Sequence, residues 1–347
     1  MQLNRTSPVP YLLAFIGLAA CVAFGQIERH PAKSAPPAVV KPQAKKGLVV
    51  PKPPVAAGTS VSKAAGPARV ILVTVDGWHV RLADRMPVWK EMASEGAWTF
   101  VAEVPKGATT SISHAELYTG AEPKVNGVTG EPTKSERTGD DPHVHGVKFR
   151  WKPLKVSHTL FTAVESAGYK AVAAVQKGKL VGMLRPDGDE TGVRVRGDKI
   201  LIQTACDAVR DDAARLVILH FKMTDDAGHR HGWLSEEQYV EAEKIGRHLE
   251  TIRKCMSDAE AAGGVPTTLI VTSDHGGTPG KGHGYDTPDD RLVPWVAVGP
   301  GIKPGHEIRA SIRLADTAPT ILRLLGIPAS SIPTLTGVSV DEIFVRP

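Results

Sequence analysis

Apolar positions along the chain follow two rhythms. Short, nearly continuous runs rich in Val, Ile and Leu (ARVILVTV, KAVAAV, ARLVILHF, TTLIVTS and PWVAVG) are separated by segments with helical spacing. The clearest of these are SHTLFTAVESAG, EEQYVEAEKIGRHLETIRKCMSDAEAAG and RLADTAPTILRLLG. A strand that is apolar at every residue has both faces buried, and those faces need helices on both sides. The alternation therefore predicts an α/β domain built on a mainly parallel sheet flanked by helices. Residues 129–156, TGEPTKSERTGDDPHVHGVKFRWKPLKV, are polar and aperiodic, and read as a long loop or small cap over that core. No internal repeat is present.

The N-terminal pattern is different. Arg5 precedes the apolar run VPYLLAFIGLAACVAFG, which reads as a secretion signal or membrane anchor over residues 1–25. Three processing routes compete. LAAC at 18–21 resembles a lipobox, with Cys21 as the acylated residue; Ala23-Phe24-Gly25 before Gln26 resembles a signal peptidase site; and the run is about long enough to span a bilayer uncleaved. Each route puts the rest of the chain in the periplasm or outside the cell, with membrane tethering through the N-terminus as one form. Residues 26–68 are rich in Pro, Ala and Lys and read as an extended linker, which leaves 69–347 as the folded domain.

Composition changes this picture little. The chain has 347 residues, is 41% hydrophobic and carries a formal charge of +5, with several lysines in the linker. No zinc-finger, RNP or helix-turn-helix signature accompanies that charge, and nucleic-acid binding is not expected. With Cys21 removed or acylated, Cys206 and Cys255 remain. They could pair in an oxidising compartment or stay as two buried thiols.

The candidate chemistry lies where strands end. In a sheet of this class, functional groups gather beyond the carboxyl ends of the strands. Asp76 ends VILVTVD; Asp225 and His229 follow LVILHFKMT; Asp274 and His275 end LIVTSDH, with Gly276-Gly277 letting the chain turn; His283 follows in GKGHGYD. Three acids and three imidazoles make a mixed oxygen and nitrogen set suited to zinc or another borderline ion, and are more than one tetrahedral metal takes, so two metals are expected. Taken singly, an Asp-Gly is usually a turn and a lone His a surface residue. The segment KGATTSISHAELYTG adds hydroxyls at the start of a helical pattern, where developing negative charge is favoured. Spacing leaves the choice among Thr109, Thr110, Ser111 and Ser113 open, and all four are also N-cap candidates.

In combination these motifs resemble the alkaline phosphatase superfamily, and within it the type I phosphodiesterase and nucleotide pyrophosphatase branch, over roughly residues 68–327. VTVDGW looks like the first-strand metal motif, TSISHAELYTGAEPKVNGV like the nucleophile segment, TDDAGHRHG like P-D-x-x-G-H-x-x-G, and SDHGG…GHG like the last two ligand motifs. The resemblance implies a two-metal hydrolase of phosphoric esters with a phospho-threonine intermediate and a small-molecule ester as substrate. It implies Thr110 as nucleophile, with Asp76, Thr110, Asp274 and His275 on one divalent ion, zinc by expectation, and Asp225, His229 and His283 on a second. The expected preference is for diesters or nucleotide pyrophosphates; the alternatives are a phosphomonoesterase with the same core and a non-catalytic anion-binding module.

Two departures bear on the substrate. Glu131 falls near the family asparagine that contacts a phosphate oxygen, and an acid there repels phosphate unless it faces away or binds a cation. Ser113 replaces the asparagine of the nucleophile segment. Lys148 and Arg150 in VKFRW resemble the Lys-x-Arg pair with which some periplasmic monoesterases of the superfamily grip a terminal phosphate; the plain alternative is a solvated basic loop. No Cys-x-Pro-x-Arg motif of a sulfatase surrounds the nucleophile.

Overall fold

A computed structural model describes residues 68–132, 154–189, 191–195 and 197–345. The expected signal or anchor, all but the end of the linker, most of the 129–156 loop, and with it Lys148 and Arg150, lie outside the described residues. Among the described residues no helix is long and apolar enough to cross a membrane.

Among the described residues eight strands form one sheet: β1 (Arg69–Val75), β2 (Ala97–Glu103), β3 (Lys170–Val175), β4 (Val193–Val195), β5 (Ala214–Phe221), β6 (Thr267–Thr272), β7 (Leu292–Val298) and β8 (His306–Glu307). Their order is β4-β3-β5-β1-β6-β7-β2-β8. From β4 to β6 every pairing is parallel, whereas β7 runs antiparallel to both β6 and β2. The five apolar runs all become strands. β2 has no counterpart among them because its residues alternate between buried and part-exposed, and β4 and β8 are too short to show a pattern.

Both faces of the sheet are covered, and β1 shows how. Its seven residues are all buried; Val70 and Leu72 point into one hydrophobic cluster, Ile71, Val73 and Val75 into the other. The first cluster is closed by helices Thr110–Thr119, Leu160–Ser166 and Thr317–Leu324, through residues such as Leu117, Phe161 and Ile321. The second is closed by Pro87–Glu95, Asp198–Ala208 and the long Glu236–Ala261 helix, through Trp89, Leu201, Ile245, Leu249 and Ile252. Cys206 and Cys255, on the last two of these helices, form a disulfide with Cα atoms 5.3 Å apart.

Candidate active site

Four neighbouring parallel strands, β3, β5, β1 and β6, deliver their carboxyl ends to one place. After β1 the chain turns at Gly77, whose φ of +66° suits glycine, and an added Cβ would meet the Asp225 backbone at 3.0 Å. The turn therefore permits Asp76 and Asp225 to approach. After β6 the outcome differs from the expectation of a glycine turn. Neither Gly276 nor Gly277 has a positive φ; both are needed because a Cβ would overlap the Asp289 carbonyl or the Trp233 indole. After β5 the chain enters a helix, Met223–His231, which places Asp225 and His229 one turn apart on one face.

Asp76, Asp225, Asp274, His275 and His283 converge. His275 Nε2 lies 3.4 Å from Asp76 Oδ1, 3.5 Å from Asp274 Oδ2 and 4.0 Å from Asp225 Oδ1. His283 Nε2 is 3.8 Å from Asp225 Oδ1 and 3.2 Å from His229 Nε2, and His229 Nε2 is 3.2 Å from Asp225 Oδ1. His275 thus faces both expected ligand groups rather than one.

Among the described residues, the anchoring of each group leaves one atom aimed inward. Asp274 Oδ1 accepts from the Gly77 and His275 N–H groups, while Oδ2 has no hydrogen-bond partner. Asp76 Oδ2 accepts from His220 Nε2 at 2.9 Å, while Oδ1 is unpartnered. His275 donates Nδ1–H to the Gly276 carbonyl and His283 donates Nδ1–H toward that of Ala108, so the lone pair of each ring sits on Nε2. Buried oxygens and ring nitrogens left without partners, converging within a few ångströms, are costly unless a cation binds them. This donor set fits divalent metal ions, and the hydrogen bonds behind it fix the ligands as metal sites require.

Charge follows the geometry. Burial, reinforced by Asp76, pushes the Asp274 carboxyl up to about 7. Burial opposes ionisation of Asp76 as well, but Lys177 and His220 outweigh it and hold Asp76 well below the carboxylate range. Burial and the neighbouring His275 bring His283 down to about 4, so its ring is neutral.

Of the four candidate hydroxyls, Thr110 Oγ faces this cluster, 3.5 Å from Asp76 Oδ2, at the first residue of its helix. The Ser111 hydroxyl and N–H both donate to Glu131, and among the described residues the Thr109 and Ser113 hydroxyls are buried without partners. His114, one turn along, donates Nδ1–H to the Thr110 carbonyl and fixes the Thr110–Thr119 helix against Asp274. Glu131 binds a cation: its carboxylate pairs with Lys179.

Sequence reasoning missed two residues. His220 interrupts the apolar run of β5 and holds Asp76. Lys177 follows β3, and its Nζ lies 2.7 Å from Asp76 Oδ2, 2.8 Å from Asp225 Oδ2 and 2.9 Å from Thr110 Oγ. The signal for Lys177 was a charged residue just beyond a strand's carboxyl end, the rule already used for the acids.

The fold is that of the alkaline phosphatase superfamily. It matches an inactive variant of murine ectonucleotide pyrophosphatase / phosphodiesterase 5 in complex with AMP, at a TM-score of 0.64 and 13% identity over 80% of this chain and 100% of that one. It also matches a 2-O GAG sulfatase, at 0.57 and 16% over 80% and 74%. Residues 70–296 match the type I phosphodiesterase / nucleotide pyrophosphatase family, and the chain belongs to that family. Among curated relatives, the 2,3-bisphosphoglycerate-independent phosphoglycerate mutase of Natronomonas pharaonis is 34% identical over 150 residues, 41% of this chain. The chain spans only 27% of that protein's length.

Proposed function

We propose that the chain hydrolyses phosphoric esters through a phosphorylated Thr110, using two divalent metal ions, with zinc as the first candidate. The observation that carries this reading is the convergence of unpartnered atoms of Asp76, Asp225, Asp274 and His275 in front of the Thr110 hydroxyl. Family membership supports an enzyme acting on phosphoric esters. Asp76, Asp274, His275 and Thr110 would hold one ion and Asp225, His229 and His283 the other, with His275 near enough to serve either group. Bound there, such ions lower the pKa of the hydroxyl and offset charge on the leaving oxygen.

The protein's own part is positioning. Thr110 Oγ gives its proton to water and attacks phosphorus in line; the Oγ–P bond forms as the bond to the leaving oxygen breaks, and that oxygen takes a proton from water. Water then attacks the phospho-threonine and the Oγ–P bond breaks; phosphate leaves where the substrate was a monoester, a phosphate monoester where it was a diester, and Thr110 Oγ regains a proton from water. The N-terminus of the Thr110–Thr119 helix favours the negative charge gathered on the phosphoryl oxygens. The His220 and Gly77 hydrogen bonds keep Asp76 and Asp274 in place throughout. Placement in an oxidising compartment, outside the cytoplasm, draws support from the Cys206–Cys255 disulfide.

The test is turnover of p-nitrophenyl phosphate and bis(p-nitrophenyl) phosphate by the zinc-loaded full chain and by Thr110→Ala. Activity on at least one substrate, lost by about a thousandfold or more in the variant, is expected. Equal activity in both proteins would exclude Thr110 as nucleophile, and no metal uptake would exclude the metal centre.

A further inference from the structure

Two neighbouring residues of β5 hold Asp76 from behind. His220 donates Nε2–H to Asp76 Oδ2, and the Phe221 carbonyl accepts the Asp76 N–H at 2.8 Å. Each is supported in turn by a different element. The Gln176 N–H, just past the register pair Val175 and His220 at the end of β3, donates to His220 Nδ1 at 3.3 Å. The His248 ring, on the Glu236–Ala261 helix, stacks on Phe221 with centroids 5.7 Å apart. Asp198 joins the two supports: its Oδ1 accepts from the Gln176 amide, and its Oδ2 lies 3.2 Å from His248 Nε2.

From this we infer that Asp198 is a positioning residue for Asp76: acting through Gln176 and His248, it fixes where the inward-facing Oδ1 of that carboxylate stands and so tunes the affinity for the ion held there. The inference rests on the two-ion reading above. The contacts around Gln176 each have one possible polarity. Backbone N–H groups only donate and a carboxylate only accepts, so the Gln176 amide turns its oxygen to the Lys222 N–H, at 2.7 Å, and its NH2 to Asp198. His220, meeting a donor at Nδ1, presents its own N–H at Nε2, toward Asp76. The His248 and Gln176 contacts hold the Asp198 carboxyl below the usual carboxylate range, against the effect of burial.

Asp198 stands on a rigid base. It opens the Asp198–Ala208 helix, whose Cys206 is disulfide-bonded to Cys255 of the helix that carries His248. The network thus links a covalently joined helix pair to the carboxyl ends of β3 and β5, and from there to the side chain and the backbone of Asp76. Groups that orient a metal's ligands from behind change its affinity by about 10- to 100-fold when they are removed. Because His220 and Phe221 both bear on Asp76, the loss falls on the ion that Asp76 holds.

Stepwise zinc affinities of the full chain, measured by competition with a chromogenic chelator, test this. Asp76→Asn marks the step that belongs to its ion, and His229→Ala marks the other. Gln176→Glu keeps an oxygen for the Lys222 N–H but sets a second carboxylate against Asp198. It is expected to weaken the Asp76 step by about 10-fold or more and the other step by less than about threefold. Adding Asp198→Asn restores a carboxylate–amide pair with its polarity reversed, and should bring the Asp76 step back to within about threefold of the unaltered chain. Asp198→Ala, at a half-buried position, should weaken the same step by about 10-fold. Two steps that fall together would mark a general loss of structure and overturn the inference. An Asp76 step unmoved by both Gln176→Glu and Asp198→Ala, or one that does not recover in the double variant, would overturn it too, while leaving the two-ion reading intact. An unaltered chain that takes up no zinc would overturn that reading and this inference with it.

Discussion

Glu116 offers a quantitative test of the packing around Thr110. It lies on the Thr110–Thr119 helix, is 3% exposed, and its Oε1 accepts from the Ala315 N–H at 3.2 Å. Burial pushes its carboxyl from 4.5 up to about 7, against the pull of the Ala315 N–H and Arg313. Because the folded pKa is raised, the fold favours the protonated form. This contribution is fully present below pH 4.5 and is lost as pH rises through about 7. A separation of roughly 2.5 units corresponds to about 3 kcal/mol once both states are ionised.

Glu116→Gln keeps an oxygen acceptor for Ala315 and removes the ionisation. Relative to the unaltered chain, and apart from a constant offset, it should gain about 1 kcal/mol at pH 5 and about 3 kcal/mol at pH 8. Denaturant titrations of both proteins at several pH values from 5 to 9, with equal m-values, would measure the difference. A flat difference across that range, or one that shrinks as pH rises, would refute the claim that burial of this carboxyl outweighs the pull of the Ala315 N–H and Arg313.

Two further outcomes follow from the frame around the site. Cys206→Ser with Cys255→Ser opens a covalent link spanning 49 residues of sequence between two helices, which the chain-entropy model values at about 4 kcal/mol; a denaturation midpoint unmoved by the double substitution would mean the disulfide does not form. Gly77→Ala puts a Cβ at a φ of +66° and 3.0 Å from the Asp225 Cα, and should cost roughly 1–2 kcal/mol of stability while lowering zinc affinity in a metal titration.

The fold was legible where burial is complete. β1, β5 and β6 are apolar on both faces, and such runs can only be interior strands. Strand direction was not legible, because an apolar run carries no mark of its neighbour's orientation; β7 reads like its parallel companions but pairs antiparallel. The Met223–His231 helix was also hidden, since DDAGHRH has almost no apolar residues and its stability comes from packing on the Glu236–Ala261 helix rather than from its own pattern. The acids of the site were readable because a carboxylate just past a buried strand is conspicuous. Lys177 obeys the same rule, but a search confined to metal-ligating types passes over an ammonium.

The glycines of SDHGG show how a correct position can carry a mistaken reason. A glycine pair after a strand suggests conformational freedom, yet the backbone there is ordinary and the requirement comes from contact. The Trp233 ring occupies the space a side chain on Gly277 would take, and the same ring lies 5.1 Å from that of His229 and 5.7 Å from that of His283. His229 has a half-exposed side chain, so the indole edge supplies the packing that limits its rotation. The absence of a side chain at Gly277 thus orients imidazoles on two other segments, a three-body relation that no local pattern in the sequence expresses.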